Sequence, residues 1–452
     1  ARRRLASLGG CRPRTPMTSI CIDGFNLAIP KGSGIATYGR NLLDAAHALG
    51  FGTQILYGPP AAPKTNNALN EALLVEGALS VPQDNRRRRV KRFRDTLLSQ
   101  FGRSAYPVRP SGEVIWPSGD PPLAQTYWTA QDLFVRAARS FHRYGRLTPT
   151  NFRAEGDETP GLMHWTAPLP LYSARTPNIY TFHDLIPLRL PYTVGGDKAR
   201  FLDLGLKVAA RADHIVVVSE ATRQDVIRLL GVDERRVTNT YQAVHIPEPL
   251  TRRGREDVAL ELEGVFQLGW KDYFLHFGAV EPKKNLGRIV EAYLASGVQR
   301  PLILIGGRSW LDEGEVALLN QIKRDGGANA DRIRQYDYLS FSTLVSLIRG
   351  ARAVLFPSLY EGFGLPVLEA MALSTAVLTS TGGALPEVAG DAALLVDPHD
   401  VQAIKMGISA LDVDEDLRSE LERRGPVQAA KFSPASYQAR LLQAYSAVGV
   451  AA

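Results

Sequence analysis

The chain has 452 residues, enough at about 100–200 residues per domain for two to four domains and a sizeable core. Apolar residues make up 45% and charged residues 22%, which excludes a wholly disordered chain, a collagen and a disulfide-stapled miniprotein. No apolar run approaches the roughly 18 residues of a spanning helix. The net charge of +7 is local: residues 1–16 hold five arginines and no acid, residues 86–94 hold seven basic residues and no acid, and the remainder is net −5. That distribution counts against a nucleic-acid-binding protein, which needs a basic stripe on a recognisable binding module. Cys11 and Cys21 are too few for a disulfide framework and point to a reducing compartment.

Taken in chain order, residues 1–16 lack the apolar core of a secretory signal and read as a disordered leader. The fold is expected to begin near Thr18, with strand SICIDGFNLAI, a Gly-rich turn, a helix from about Ile35 and strand FGTQILYG. Strand, Gly-rich turn, helix, strand opens a doubly wound α/β domain. Residues of about 58–160, rich in Pro, Arg and Asn, read as an irregular insertion with some helix, especially at 129–144. Alternation resumes with strand NIYTFHD, a helix near 196–212, strand HIVVVS and a helix that Ser219 can cap. A linker-like stretch, IPEPLTRRGRE, then leads into repeated strand–helix units from KDYFLHFG to ALLVDP, followed by helix over 399–424 and a terminal helix at 434–448. The expected layout is a first domain over 17–250, a second over 251–433, and a terminal segment 434–452 able to pack back on the first. Repeated βα units make a parallel sheet with ligands at the carboxyl ends of its strands, so two such domains imply a ligand in the cleft between them.

The most informative segment is AVLFPSLYEGFGLPVLEAMALSTAVLTSTGGALPEVAGDAALLVDP, residues 353–398. A strand runs into a loop with Gly362 and Gly364, which let backbone approach a ligand closely. Pro366 suits the first turn of the following helix, whose free N–H groups and positive dipole end suit a diphosphate. Glu369, one turn into that helix, can bond a pair of sugar hydroxyls such as a ribose, and Glu361 on the loop can contact the other end of a nucleotide-sugar. A lone pair of glutamates is more often a solvated helix residue and a turn residue; here the flanking strand, glycines and proline argue for a site.

This Glu-x7-Glu segment closely resembles the retaining glycosyltransferases of family 4, which have the GT-B fold: two Rossmann-like doubly wound parallel-sheet domains facing across a cleft. The resemblance extends to FGAVEPKKN (277–285) as the phosphate-contacting loop, FHDLIPL (182–188) and VVVSEATRQDV (216–226) as first-domain signatures, and GSGIATYGRNLL (32–43) as the first Gly-rich loop. It covers both domains in order, leaving residues 1–16 and about 58–160 unmatched. It implies that Glu369 holds the ribose hydroxyls and Glu361 contacts the transferred sugar. Backbone around Gly364, Leu365 and Pro366 would bind phosphate and sugar, Lys284 would neutralise the leaving diphosphate, and His183 would sit beside the anomeric centre. One departure is Ala279, where many members place an arginine; Lys284 then carries more of the charge, helped by Lys283 or Arg308. No metal-ligand cluster is visible in the sequence, so the leaving group must be stabilised by Lys284 and a helix N-terminus. The resemblance further implies reaction on one face of the sugar, with both glutamates positioning the donor.

Several readings remain two-sided. His183 is either this catalytic residue or a buried histidine bonded to backbone. Gly32 and Gly34 either present backbone N–H groups to the diphosphate or form a plain turn. Tyr338 and Leu339, at a strand end, either touch the base or belong to the core. The run Arg86–Arg94 is either a solvated basic face or a contact for anionic lipid headgroups, at roughly 1 kcal/mol per cation. FHDLIPL with Pro191 and Tyr192 resembles the mannosyltransferase-like branch, making GDP-mannose the first expected donor, with no cofactor or metal. The expected acceptor is a glycan or lipid-linked glycan in bacterial polysaccharide or glycolipid synthesis, at the cytoplasmic face of the inner membrane. The competing readings are a scaffold of this fold that has lost catalysis, and a basic nucleic-acid-binding protein.

Overall fold

A computed structural model describes residues 18–27, 34–59, 67–79, 101–116, 123–153, 158–307 and 313–451. Residues 1–16 with Cys11, the run Arg86–Arg94, Gly32 and Arg308 lie outside the described residues. The first sheet has ten strands: β1 Ser19–Asp23, β2 Gly52–Tyr57, β3 Arg103–Val108, β4 Thr126–Thr129, β5 Thr148–Phe152, β6 Leu162–Trp165, β7 Leu171–Ser173, β8 Asn178–Phe182, β9 His214–Val217 and β10 Val237–Asn239. Their spatial order is β10-β9-β8-β6-β1-β2-β4-β3-β5-β7. All pairs are parallel except β3 with β4, so β3, β5 and β7 run against the other seven. The segment of about 58–160 therefore contributes three strands to the sheet. They are short and hold Pro107 and Pro149, which masks the period-2 signal of a strand.

The second sheet has six parallel strands, β11 Phe274–Phe277, β12 Leu302–Ile305, β13 Ile333–Tyr336, β14 Ala353–Phe356, β15 Val377–Ser380 and β16 Leu394–Val396, in the order β13-β12-β11-β14-β15-β16. The sequences of β11, β12 and β14 (FLHF, LILI and AVLF) are buried at every position because helices cover both faces of a parallel sheet. The expected helix over 399–424 is two helices, Val401–Val413 and Glu415–Ala429, divided at Asp414, whose side chain accepts from the Leu417 N–H and caps the second.

The terminal helix Pro434–Ser446 buries Tyr437, Leu441, Ala444 and Tyr445 beside the Gly34–Ala48 helix and strands β9 and β10. A buried polar chain ties it in. The Tyr445 hydroxyl lies 3.0 Å from His164 Nδ1, His164 Nε2 lies 2.9 Å from Thr181 Oγ1, and Thr181 Oγ1 lies 2.8 Å from the Tyr38 hydroxyl. The chain crosses between the two sheets twice, after β10 and near residue 432. The crossings touch: the Val244 N–H donates to the Phe432 carbonyl at 3.2 Å, and the Tyr241, Phe363 and Phe432 rings pack within 5.1–6.3 Å of one another.

Candidate active site

The carboxyl ends of the two sheets meet. His183 follows the last residue of β8, and Gly362 lies in the loop after β14. A Cβ at Gly362 would overlap the His183 carbonyl oxygen, so only glycine permits this approach. The Thr222 hydroxyl donates to the His183 carbonyl at 3.2 Å, fixing the same peptide from the first domain. Two further contacts cross here. Both Glu387 carboxylate oxygens accept, at 2.9 Å each, the N–H groups of Glu220 and Ala221 at the start of the Glu220–Leu230 helix. The Tyr360 hydroxyl donates to Asp225 at 2.6 Å, and Arg189 lies 3.6 Å from the same carboxylate and over the Tyr360 ring.

Glu361 and Lys284 form an ion pair, with Lys284 Nζ 2.6 Å from Glu361 Oε1. Lys283 Nζ lies 3.8 Å from the other oxygen of Glu361 and 3.6 Å from Glu281. Burial alone would push the Glu361 carboxyl up, but the two ammonium groups reverse this and leave it below the usual glutamate value. Burial likewise opposes the Lys283 charge, and the Glu361, Asp184 and Glu281 carboxylates more than offset it. The turn carrying these lysines is stitched to the loop after β14. Leu359 N–H donates to the Lys283 carbonyl at 2.8 Å, and Asn285 Nδ2 donates to the carbonyls of Pro357 and Pro398.

Glu369 is different. It is half-buried on the Leu365–Ala372 helix, and its carboxylate has no hydrogen-bond or ion-pair partner among the described residues. Burial raises its pKa to about 7. Gly364 precedes that helix at φ 109°, a left-handed conformation suited to glycine, with Leu365 and Pro366 opening the first turn. Gly34 starts the Gly34–Ala48 helix with Leu365 4.0 Å from the position its Cβ would take, which brings Gly34 beside this helix.

His183 Nε2 donates to the Thr166 carbonyl at 2.8 Å, so that nitrogen carries the proton and Nδ1 is left as the acceptor in the neutral ring. Burial lowers its pKa below the usual histidine value, and the Tyr38 ring meets it edge-on at 4.8 Å. Tyr338 and Leu339 follow β13 rather than ending it. Tyr338 is 71% exposed, and Leu339 is partly buried against the core. The structure thus brings together Gly34, His183, Lys283, Lys284, Glu361, Gly364, Leu365, Pro366 and Glu369, while Tyr338 stands in solvent.

Sequence reasoning missed Asn285, Glu387, Tyr38 and the Arg189–Asp225–Tyr360 cluster. Tyr38 and Glu387 lie inside segments already singled out. Their partners are far away in sequence, and no local pattern reports them. Among the described residues no group of three or more His, Cys, Asp or Glu side chains is placed to hold a metal ion, and no helix is long and apolar enough to cross a membrane.

Two α/β units with facing carboxyl edges, and an ammonium–carboxylate cluster where they meet, define a GT-B architecture. The comparisons agree. Residues 266–428 match the family model for group 1 glycosyl transferases, and residues 113–246 match that for glycosyltransferase family 4. O-antigen chain mannosyltransferase B of Escherichia coli is 34% identical over 272 residues, covering 59% of this chain and 69% of that protein. The serotype-specific mannosyltransferase WbdA of the same species is 29% identical over 286 residues, 62% of this chain but only 34% of WbdA. Among solved structures, sucrose-phosphate synthase from Thermosynechococcus elongatus aligns with a TM-score of 0.64 at 17% identity, covering 95% of this chain and 98% of that one. Anabaena HepE in complex with UDP and glucose aligns at 0.63 and 15% identity, covering 95% and 99%. The chain belongs to the family 4 glycosyltransferases, in their mannosyltransferase-like branch, and is a glycosyltransferase.

Proposed function

We propose that this enzyme transfers mannose, with retention and without a metal, from GDP-mannose to a glycan or lipid-linked glycan in bacterial polysaccharide synthesis at the cytoplasmic membrane face. The observation that carries the site assignment is the contrast between its two carboxylates. Glu361 is neutralised by two ammonium groups, whereas Glu369 is half-buried with no partner among the described residues. An unpartnered buried carboxylate costs stability and is retained where a ligand supplies the missing donors. Ribose hydroxyls of a nucleotide are such donors. On this reading Lys284 and Lys283 share the diphosphate charge, and the backbone of Gly364, Leu365 and Pro366 receives a phosphate, with Gly34 opposite. Glu361 orients the sugar, and His183, held by Thr166, lies against its reacting carbon.

The reaction breaks the bond from the anomeric carbon to the diphosphate oxygen and forms one to an acceptor hydroxyl oxygen on the same face of the sugar. The acceptor proton passes to a diphosphate oxygen, and Lys284 stabilises the charge on the leaving group. The mannosyltransferase relatives support the choice of sugar, and the name of one, O-antigen chain mannosyltransferase B, supports the polymer. The test is calorimetry with GDP-mannose, UDP-glucose, UDP-N-acetylglucosamine, GDP-fucose and dTDP-rhamnose in the presence of chelator. GDP-mannose is expected to bind wild type and to lose at least 10-fold in affinity with Glu369→Ala. Binding of another donor replaces the sugar assignment, and binding unaffected by the substitution removes the site assignment.

A further inference from the structure

The amino edge of the second sheet, opposite the cleft, carries a hollow of about 410 Å3. Trp270 and Lys271 stand just before β11, and Arg349 lies on the Phe341–Gly350 helix that leads into β14. Ser374 follows the Leu365–Ala372 helix on the way to β15. Arg255 opens the Arg255–Phe266 helix, and Glu422 comes from the Glu415–Ala429 helix. The hollow is thus assembled from several elements and is not a patch on one helix. It is also separate from the donor site. The Leu365–Ala372 helix begins beside Gly364 and ends at the hollow, about 12 Å further on at 1.5 Å per residue.

Three cations and one carboxylate line the hollow, an excess of two positive charges. The Arg255 guanidinium lies over the Trp270 ring, 5.3 Å from its centroid, and makes no hydrogen bond or ion pair with the described residues. Lys271 Nζ, 5.7 Å from the same centroid, is shut off from water. Among the described residues its three N–H groups have one close partner, Glu422 Oε1 at 2.9 Å. Arg349 donates to the carbonyls of Leu250 and Arg253, at 3.2 and 2.9 Å, which hold its fork without cancelling its charge. The like charges crowd one another. Burial, with Arg255 and Arg418 nearby, outweighs Glu422 and lowers the Lys271 pKa; burial and Arg253 lower that of Arg349. Backbone strain gathers here too: Lys271 and Ser374 take left-handed conformations, at φ 58° and 55°, although neither is glycine.

We infer that this hollow binds a phosphate monoester on a small hydroxylated body, with the phosphate set among Arg255, Lys271 and Arg349. The inference goes beyond the donor reading and does not depend on it. Cations gathered without counter-charge cost stability and are retained where a ligand supplies that charge. An excess of two matches a phosphate dianion, and guanidinium forks match its oxygens two at a time. The volume lies within the range of ligand-sized pockets and is larger than a phosphate ion fills. The hydroxyls of Thr251 and Ser374, both exposed, offer hydrogen-bond partners to a hydroxylated body. An apolar chain would instead strip water from the charged groups of the lining, which is costly.

The test uses the full chain in phosphate-free buffer and four probes: mannose 6-phosphate, inorganic phosphate, methyl α-mannoside, and phosphatidylcholine vesicles containing phosphatidic acid. Calorimetry is expected to show mannose 6-phosphate binding at least 5-fold more tightly than phosphate, and no binding of methyl α-mannoside. Arg255→Gln, at an exposed side chain, is expected to keep the wild-type urea midpoint and to lower mannose 6-phosphate affinity at least 10-fold. Glu422→Gln removes the one carboxylate that repels the ligand and is expected to raise that affinity at least 5-fold. Affinity indifferent to both substitutions places the ester in the cleft and overturns the inference. So does a fall in affinity with Glu422→Gln, or a preference for methyl α-mannoside. Binding to the vesicles alone, abolished by Arg255→Gln, supports the phosphate monoester and assigns it to a lipid headgroup; binding of neither overturns the inference. GDP-mannose affinity is expected to be unchanged in both variants. Its absence from wild type overturns the donor reading and leaves this one standing.

Discussion

Glu369 holds its carboxyl near pKa 7 because burial disfavours the anion and no described side chain repays the cost. The folded protein therefore binds a proton that the unfolded chain has already released between pH about 4.5 and 7. Stability falls as pH rises through that window, and the penalty is fully present above it, at most about 3 kcal/mol by the constant of 1.36 kcal/mol per unit. Glu369→Gln is expected to raise the unfolding free energy at pH 8 by about 1–3 kcal/mol and to leave it unchanged near pH 4.5. Urea unfolding at both values checks this, and an equal pH dependence in wild type and variant would refute it. Such a gain in stability alongside a loss of ligand affinity is the usual signature of a functional residue. Glu361, Glu369 and Lys284 were legible in the sequence because the glycines, the proline and the strand around them are local signals. The Lys284–Glu361 ion pair was not, since 77 residues separate the partners. Tyr338, near a strand end, read as core or a ligand contact; β13 stops at Tyr336 and Tyr338 is 71% exposed, which rules out the core alternative.

Among elements, the Glu220–Leu230 helix shows how one domain completes another. A helix starts with four N–H groups that lack intrahelical partners. Ser219 accepts from Thr222 within the first domain, and Glu387 of the second accepts from Glu220 and Ala221. These are charge-assisted bonds at the positive end of the helix dipole. Glu387→Ala is expected to cost about 2 kcal/mol locally. At tenfold per 1.4 kcal/mol, hydrogen exchange at the Glu220 and Ala221 amides then speeds up about 30-fold while the Ser219-capped Thr222 amide changes little. Equal acceleration at all three amides would instead mean general fraying. The Ser219 cap was legible because Ser before an apolar-periodic segment is a sequence signal. The Glu387 cap was not, because its acceptor comes from another domain. The strands β11, β12 and β14 were legible from near-continuous apolar runs, whereas β3, β5 and β7 are short, proline-bearing or far from any regular alternation.

At the scale of the whole molecule, the terminal helix is the first domain's last structural layer, although it follows the second domain in sequence. Its Tyr445 hydroxyl supplies the partner of Nδ1 of His164, a fully buried residue of β6. Tyr445→Phe leaves that nitrogen unsatisfied and is expected to cost about 1–3 kcal/mol. The expected readout is a lowered urea midpoint with an unchanged m-value. A changed m-value would mean that the helix detaches and that the two domains no longer unfold together. The sequence placed this helix at 434–448; its burial partners, Tyr38 and His164, come from segments hundreds of residues earlier and are visible only in three dimensions.

The hydrogen bond from Val244 to Phe432 joins the only two places, among the described residues, where the backbone passes from one sheet to the other. Two adjacent, mutually bonded crossings set the natural axis for a relative swing of the halves, which would first have to release the Glu387 and Tyr360 contacts to Glu220, Ala221 and Asp225. Distances near the axis barely change during such a swing, while those at the far lip of the cleft change most. A pair of spin labels placed beside Tyr241 and Phe432 would thus report a fixed separation, and a pair placed across the mouth would report the full range of opening.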